Sequence, residues 1–239
     1  GGEIDLTEHL IWRTNRLHYT QTSPPVIYND LIILGNGVWD GFVYERDPPG
    51  NIQAFNVRTG ELVWNFNLIP QAGEVGNDTW EDDSWRRVGH SNAWAPLSVD
   101  LERGLVFVPV GTPSNDYYGG DRLGDNLFAE SLVALDASTG ERVWHFQAVK
   151  HGLWDYDLPA QPTLLTVTVE GHTIDAVVAA SKMGFLFVFD RATGIPVWPI
   201  EDRPVIQSDV PGERTSPTQP FPTKPPAFAR QGFTEDDVV

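Results

Sequence analysis

The stretch HGLWDYDLPAQP (residues 151–162) sets a histidine, a tryptophan, a tyrosine and two aspartates within a dozen residues and closes on two prolines. Such a segment makes a poor helix and only a short strand, so its acids belong to a stiff loop. Asp155 and Asp157 stand at i and i+2, and in extended backbone such a pair faces one side. That geometry permits joint ligation of a hard cation, which takes oxygen ligands. The plain alternative is that Asp155 caps a turn. Lys182 ends the apolar run VVAAS and is followed by Met183, Gly184 and Phe185. A lysine at the end of a buried strand requires an acidic partner; the alternative is a surface lysine after a strand. Trp94, in SNAWAPLS, offers a broad apolar face to a planar ligand, although with nine tryptophans in the chain a place in the core is the competing reading.

The elements that would position these residues announce themselves by repetition. AFNVRTGELVW (54–64), ALDASTGERVW (134–144) and VFDRATGIPVW (188–198) are one pattern written three times. An apolar strand runs into a turn at Thr59-Gly60, Thr139-Gly140 or Thr193-Gly194, where glycine can take positive φ. A second strand then leaves with Trp64, Trp144 or Trp198 four residues on, placed to pack on a neighbouring sheet. The unequal spacing of these tryptophans argues against a solenoid of strict period and suits a β-propeller, whose inter-strand loops vary. Other runs, PVIYNDLIILG, GLVFVPVG and FLFVFD among them, are short, branched and bounded by turn residues. Helical patterning is confined to about one turn near residues 82–86. The expectation is an all-β chain, residues 1–239 forming a single partial propeller domain of about four blades. The proline-rich stretch 204–239 reads as an excursion between blades, since PTQPFPTKPPAF cannot sit in a central strand.

Composition narrows the partners. Sixteen lysines and arginines against 33 aspartates and glutamates give a formal charge of −17. Such a surface repels phosphate backbones and anionic lipid, which disfavours nucleic acid and membrane surfaces. Cysteine is absent, so disulfides, thiolate metal sites and a CxxCH haem attachment are excluded within these residues. No apolar run is long enough to span a membrane. The chain opens on Gly-Gly with no visible signal peptide.

The repeats, written AxDxxTGxxxW, resemble the tryptophan-docking motifs of the pyrroloquinoline quinone (PQQ)-dependent dehydrogenases, eight-bladed propellers of the bacterial periplasm. NAWAPLSVDLERGLVFVPVGTPSNDYYGG, LWDYDLPAQP and ASKMGFLFVFDRATG resemble segments of the branch that includes membrane-bound glucose and quinate dehydrogenases. The resemblance runs in order over essentially the whole chain. It implies about half of an eight-bladed propeller that binds PQQ against Ca²⁺ or, in some branches, a lanthanide, and oxidises a sugar, polyol or other alcohol. Electrons would pass to a quinone or a cytochrome, and the compartment would be the periplasm.

Residue by residue, the resemblance makes Asp155 the general base, which must reach the substrate hydroxyl. Lys182 becomes the cation that hydrogen-bonds the quinone oxygens and steadies developing negative charge. Trp94 is the surface on which the quinone stacks, and Asp40 in GNGVWDGF an acid of the metal site. Thr112 and Ser114 in GTPSND fall where relatives carry a polar ligand of the cofactor site, though neither is the asparagine of the methanol-oxidising branch. Asp157 matches an extra carboxylate of lanthanide-using relatives, and the sugar-oxidising branch carries the same Asp-x-Asp. The missing adjacent-cysteine pair favours the sugar or polyol side. Two rival readings stand beside it: a cofactor-free propeller scaffold, which uses the same repeats, and a carbohydrate-binding propeller, which suits the abundant tryptophan and aspartate but has no motif behind it. Convergence of Asp40, Trp94, Asp155 and Lys182 would separate an enzyme from either.

Overall fold

The computed structural model describes residues 3–39 and 47–237. These residues are all-β, and helical backbone among them is limited to 3-10 turns of three to six residues. The expected turn near 82–86 is one of these, Glu81–Arg86, kinked where Asp82 and Asp83 take positive φ. A small ribbon pairs β1 (Tyr19–Thr20) with β4 (Gly37–Val38). The first four-stranded antiparallel sheet has the order β2 (Val26–Tyr28), β3 (Leu31–Leu34), β5 (Ile52–Asn56), β6 (Leu62–Phe66). The second has the order β7 (Ser98–Asp100), β8 (Leu105–Pro109), β9 (Ser131–Asp136), β10 (Arg142–Gln147). A third sheet of three strands joins β11 (Thr163–Val169), β12 (His172–Ala180) and β13 (Leu186–Asp190). Where its fourth strand would run, GIPVWP carries two prolines, and pairing shrinks to one bridge between Phe189 and Pro196. Up-and-down sheets of this kind, each stacked on the next, are propeller blades.

The repeated motif explains itself in hydrogen bonds. Asn56, Asp136 and Asp190 each accept from the backbone amides two and three residues on, at 2.8–3.1 Å. The amides of Gly60, Gly140 and Gly194 return to the carbonyls of those same residues at 2.8 Å, with φ of +78°, +75° and +71°. The threonine hydroxyl before each glycine accepts the amide that opens the next strand. The amides that follow the Asn or Asp by two to five residues are thereby satisfied within the turn, which is why D/N-x-x-T-G recurs.

The tryptophans join one blade to the next. Trp64 donates its indole N–H to Ala137 O at 3.1 Å, and its ring covers Gly140, where a Cβ would stand only 2.5 Å from it. Trp144 donates to Arg191 O at 3.1 Å and covers Gly194 in the same way. Two apolar cores lie behind these seams. One gathers Ile33, Ala54, Val106, Val108 and Leu135 between the first and second sheets, the other Phe107, Leu132, Val177 and Phe187 between the second and third. An ion network stitches the second seam: buried Asp100 receives Arg103 and Arg191, each at 3.1 Å, and Arg103 also reaches Asp175.

The proline-rich region departs from a plain loop. Residues Thr218–Pro222 (β15) pair with Ile200–Pro204 (β14) as a two-stranded ribbon. Each ribbon strand has an unpaired side on which proline costs no ladder bond, so these prolines are still excluded from a sheet interior. No helix among the described residues is long and apolar enough to cross a membrane.

Candidate active site

At one end of the second and third sheets, loops from four separate parts of the chain meet. Lys182 sits in the tight turn from β12 to β13, where Ser181 accepts from Gly184 N and donates its own amide to Phe185 O. That turn is docked on the 151–157 loop by the Lys182 amide, which donates to Asp157 O at 3.1 Å. The loop is fixed at its start from inside. The buried Arg122 guanidinium donates to Gly152 O at 2.7 Å, and His151 Nδ1 lies 2.6 Å from Gly124 O. Leu153 and Leu158 are buried. Trp154 is 69% exposed and Tyr156 also faces outward, so leucines and Arg122, not these rings, hold the loop.

The acids converge on the lysine. Lys182 Nζ lies 2.7 Å from Asp155 Oδ2 and 3.0 Å from Asp157 Oδ2. It also stands 5.8 Å from the centroid of the Trp94 ring, within cation–π range. Trp94 Nε1–H donates to Asp157 Oδ2 at 2.9 Å, and the Thr112 amide donates to Asp157 Oδ1 at 2.6 Å, with the Thr112 hydroxyl 3.1 Å from the same oxygen. Gly111 leaves room for this packing, since a Cβ there would come within 2.9 Å of Asp157 Oδ1.

The electrostatics follow from burial and neighbours. Burial raises the Asp155 carboxyl above its ordinary range and Asp157 adds to the rise, while the hydrogen bond from Lys182 opposes it. Burial alone would lower Lys182, but its bonds to both carboxylates outweigh that and hold the ammonium above its usual value. Asp155 also has φ +55°, the left-handed region that aspartate tolerates better than most residues.

Five of the expected residues are thus assembled: Trp94, Thr112, Asp155, Asp157 and Lys182. Ser114 is fully buried and turned elsewhere, donating to Asp47 Oδ2 at 2.7 Å. Asp40 lies outside the described residues. Three groups escaped the sequence reading. Asp47 is fully buried behind Ser114, Arg122 is fully buried under the loop, and Glu130 is fully buried beside Thr112. Burial pushes the Glu130 carboxyl up to about 8 against the pull of Arg122. The only sign of Glu130 in the sequence is an acid directly before the apolar strand SLVAL.

A quinone with a bound cation can be tested against this donor set. A planar, acidic ring system fits a half-buried tryptophan face with an ammonium beside it. For the cation, Asp155 is half-buried with one oxygen on Lys182. Asp157 already receives four donors on its two oxygens, and reaches a cation only by giving up one of them. Among the described residues no group of three His, Asp or Glu side chains forms a closed metal cage.

The chain is similar to proteins with these features. It matches, over residues 1–239, the family model described as PQQ glucose/ethanol/alcohol dehydrogenase, β-propeller domain. It is 40% identical over 204 residues to quinoprotein glucose dehydrogenase of Escherichia coli (strain K12), covering 85% of this chain and 25% of that one. It is 35% identical over 246 residues to quinate/shikimate dehydrogenase (quinone) of Acinetobacter baylyi, covering 99% and 29%. The solved quinohemoprotein alcohol dehydrogenase of Comamonas testosteroni superposes with a TM-score of 0.69 at 26% identity, covering 89% of this chain and 33% of that one. The chain therefore spans about a quarter to a third of the length of these relatives. By its full-length match, its docked blades and its relatives, the chain belongs to the PQQ-dependent glucose/ethanol/alcohol dehydrogenase β-propeller family.

Proposed function

We propose that the chain forms part of a quinoprotein oxidoreductase that oxidises a sugar, polyol or other alcohol to its carbonyl product, with Asp155 as general base. The observation that carries this reading is the meeting of Asp155, Asp157 and Lys182 beside the Trp94 ring from segments far apart in sequence. A scaffold or a simple binding propeller has no need of two acids and a cation held at that distance. The names of the relatives, glucose and quinate dehydrogenases, support the substrate class. The "(quinone)" of one name supports a quinone as electron acceptor, with a separate cytochrome as the alternative.

In this reading Trp94 and Lys182 would hold the quinone, by ring stacking and by charge, with Thr112 in support behind Asp157. Asp155 and Asp40 are the proposed carboxylates for Ca²⁺ or a lanthanide; Asp157 contributes by holding Lys182, Trp94 and Thr112 in place, and joins the cation only in exchange for Lys182. Ser114, its hydroxyl turned to Asp47, takes no direct part in this reading. When bound, the quinone supplies the two-electron acceptor for the substrate's C–H hydride, and the cation polarises it. Asp155 does the chain's own part. Its carboxylate takes the proton from the substrate hydroxyl. For that, Lys182 must swing from Asp155 toward the quinone, a movement its one-third exposed side chain allows.

The test is reconstitution with PQQ and Ca²⁺, followed by dye-linked oxidation of a panel containing glucose, quinate, glycerol and simple alcohols. Asp155→Asn should lower kcat/KM by at least about 100-fold with the circular dichroism unchanged. An Asp155→Asn protein that keeps its activity removes the base assignment. A full-length protein that binds no quinone removes the reaction class.

A further inference from the structure

Glu130 takes no part in the chemistry above, yet its buried carboxyl lies one side chain from the site. Its Oε1 is 3.1 Å from the Thr112 hydroxyl, which is itself 3.1 Å from Asp157 Oδ1. A threonine hydroxyl has a single hydrogen and can donate only once. Asp157 receives the Lys182 ammonium, the Trp94 indole N–H and the Thr112 amide, so it is the ionised, accepting end of the chain of contacts. The Thr112 hydrogen therefore goes to Asp157, and the contact with Glu130 needs a hydrogen from Glu130. The burial of Glu130 agrees, against the opposing pull of Arg122 and the Gly152 amide. Its Oε2 is buried with no hydrogen-bond partner, a heavy penalty for a carboxylate and a smaller one for a neutral acid. The nearby Arg122 guanidinium gives its hydrogens to Asn126 Oδ1, Asn115 O and Gly152 O instead. Gly152 presses on the same carboxyl, where a Cβ would stand 1.9–2.0 Å from its oxygens.

We infer that Glu130 is a positioning residue, a neutral carboxylic acid whose proton orients the Thr112 hydroxyl onto Asp157 and so fixes the carboxylate that holds Lys182 and Trp94. The relay runs Glu130 Oε1–H to Thr112 Oγ1–H to Asp157 Oδ1. It spans three segments: the lead-in to β9, the loop after β8 and the loop after β10. This inference rests on the proposed function for its purpose, but its geometry can be tested without any quinone.

Trp94 is the built-in reporter, because its indole N–H bonds to the carboxylate at the end of the relay. The experiment compares the indole ¹⁵N–¹H resonance of Trp94 in the wild-type chain, Glu130→Gln and Glu130→Met, each without added cofactor. Glutamine keeps a donor at the same reach, so Glu130→Gln should leave the Trp94 signal in place. Glu130→Met keeps the bulk and loses the donor, so the signal should move. A signal unmoved in Glu130→Met, or moved equally in both variants, overturns the inference. Should Glu130→Met fail to fold, Thr112→Val breaks the relay at its middle with little change in volume. It must then move the same resonance, and an unmoved resonance again overturns the inference. The carboxyl ¹³C shift of Glu130, assigned by its loss in Glu130→Gln, should be that of a protonated acid at pH 7; an ionised shift refutes it outright. Failure of quinone binding would count against the proposed function and leave these readings intact.

Discussion

Two kinds of tryptophan organise this chain, and the contrast between them separates what folds it from what it does. Trp64 and Trp144 are 6% and 7% exposed, donate to backbone carbonyls of the adjoining blade, and have a glycine turn against the ring. Trp94 is half-buried, donates to a carboxylate, and has an ammonium near its ring. In the seams each docked indole N–H finds a backbone carbonyl and the arrangement repeats. In the site the donors are spent on charge, the backbone enters the left-handed region at His151 and Asp155, and nothing repeats. Stability lives in the first arrangement, and the proposed chemistry in the second.

The sharpest way to break the comparison is at the seam. Gly140→Ala adds a methyl 2.5–2.6 Å from the Trp64 ring at a φ of +75°. Backbone strain and overpacking together should cost about 3 kcal/mol. Gly171 is the control, with φ +82° and nothing within 4 Å of an added Cβ. Gly171→Ala should cost only the backbone share, about 1 kcal/mol. Equal urea midpoints for the two variants would mean that tryptophan docking contributes little.

Acid acts on both regions. Burial lowers His90 to about 3, and His145 and His151 to about 4. The unfolded chain takes up these protons near pH 6.5 and the folded chain does not, so stability falls as pH drops below about 6.5. Each histidine contributes up to about 1.4 kcal/mol per pH unit in that window. His145 belongs to a blade, edge-on to Phe128, whereas His151 anchors the site loop. His145→Gln and His151→Gln should each flatten the profile of urea midpoint against pH, and a profile already flat from pH 6.5 to about pH 5 in the wild type would contradict the burial argument.

How much of this could be read in advance follows from the same division. Residues 54–64, 134–144 and 188–198 carry their turn chemistry locally, in an Asx side chain, a threonine and a glycine, so the hairpins were legible. The proline-rich ribbon of β14 and β15 was not, because its partners lie fourteen or more residues apart and prolines hide strand character. At the site, Asp155, Asp157, Lys182, Trp94 and Thr112 were legible through the resemblance of their segments. Glu130, Arg122 and Asp47 were not, because burial of a charged residue is a property of the assembled blades and leaves no local pattern. Ser114 shows the converse: a plausible position in GTPSND, with its hydroxyl turned to a buried acid that no spacing revealed.

Within the site, Lys182 can be separated from the acids it holds. Its hydrogen bond keeps the Asp155 carboxyl from rising further. Lys182→Met removes that restraint, so in the chain without quinone or cation Asp155 should need a higher pH to ionise, read from its carboxyl ¹³C shift against pH. A titration that stays in place, or moves to lower pH, would show that Lys182 does not govern the Asp155 carboxyl.

The finest probe applies one chemical change to both tryptophans. Trp64→Phe deletes an indole N–H from a buried bond to Ala137 O and leaves unfilled space over Gly140, so about 2 kcal/mol of stability should go. Trp94→Phe deletes one of four donors to Asp157. The Thr112 amide, the Thr112 hydroxyl and Lys182 still serve that carboxylate, and the ring is only half-buried, so the loss should stay under about 1 kcal/mol. Quinone affinity should respond in the opposite order, falling in Trp94→Phe and holding in Trp64→Phe. If the two variants lose stability equally, then Trp94 is a core tryptophan like the others, and the carboxylate it binds is no more than a buried acceptor.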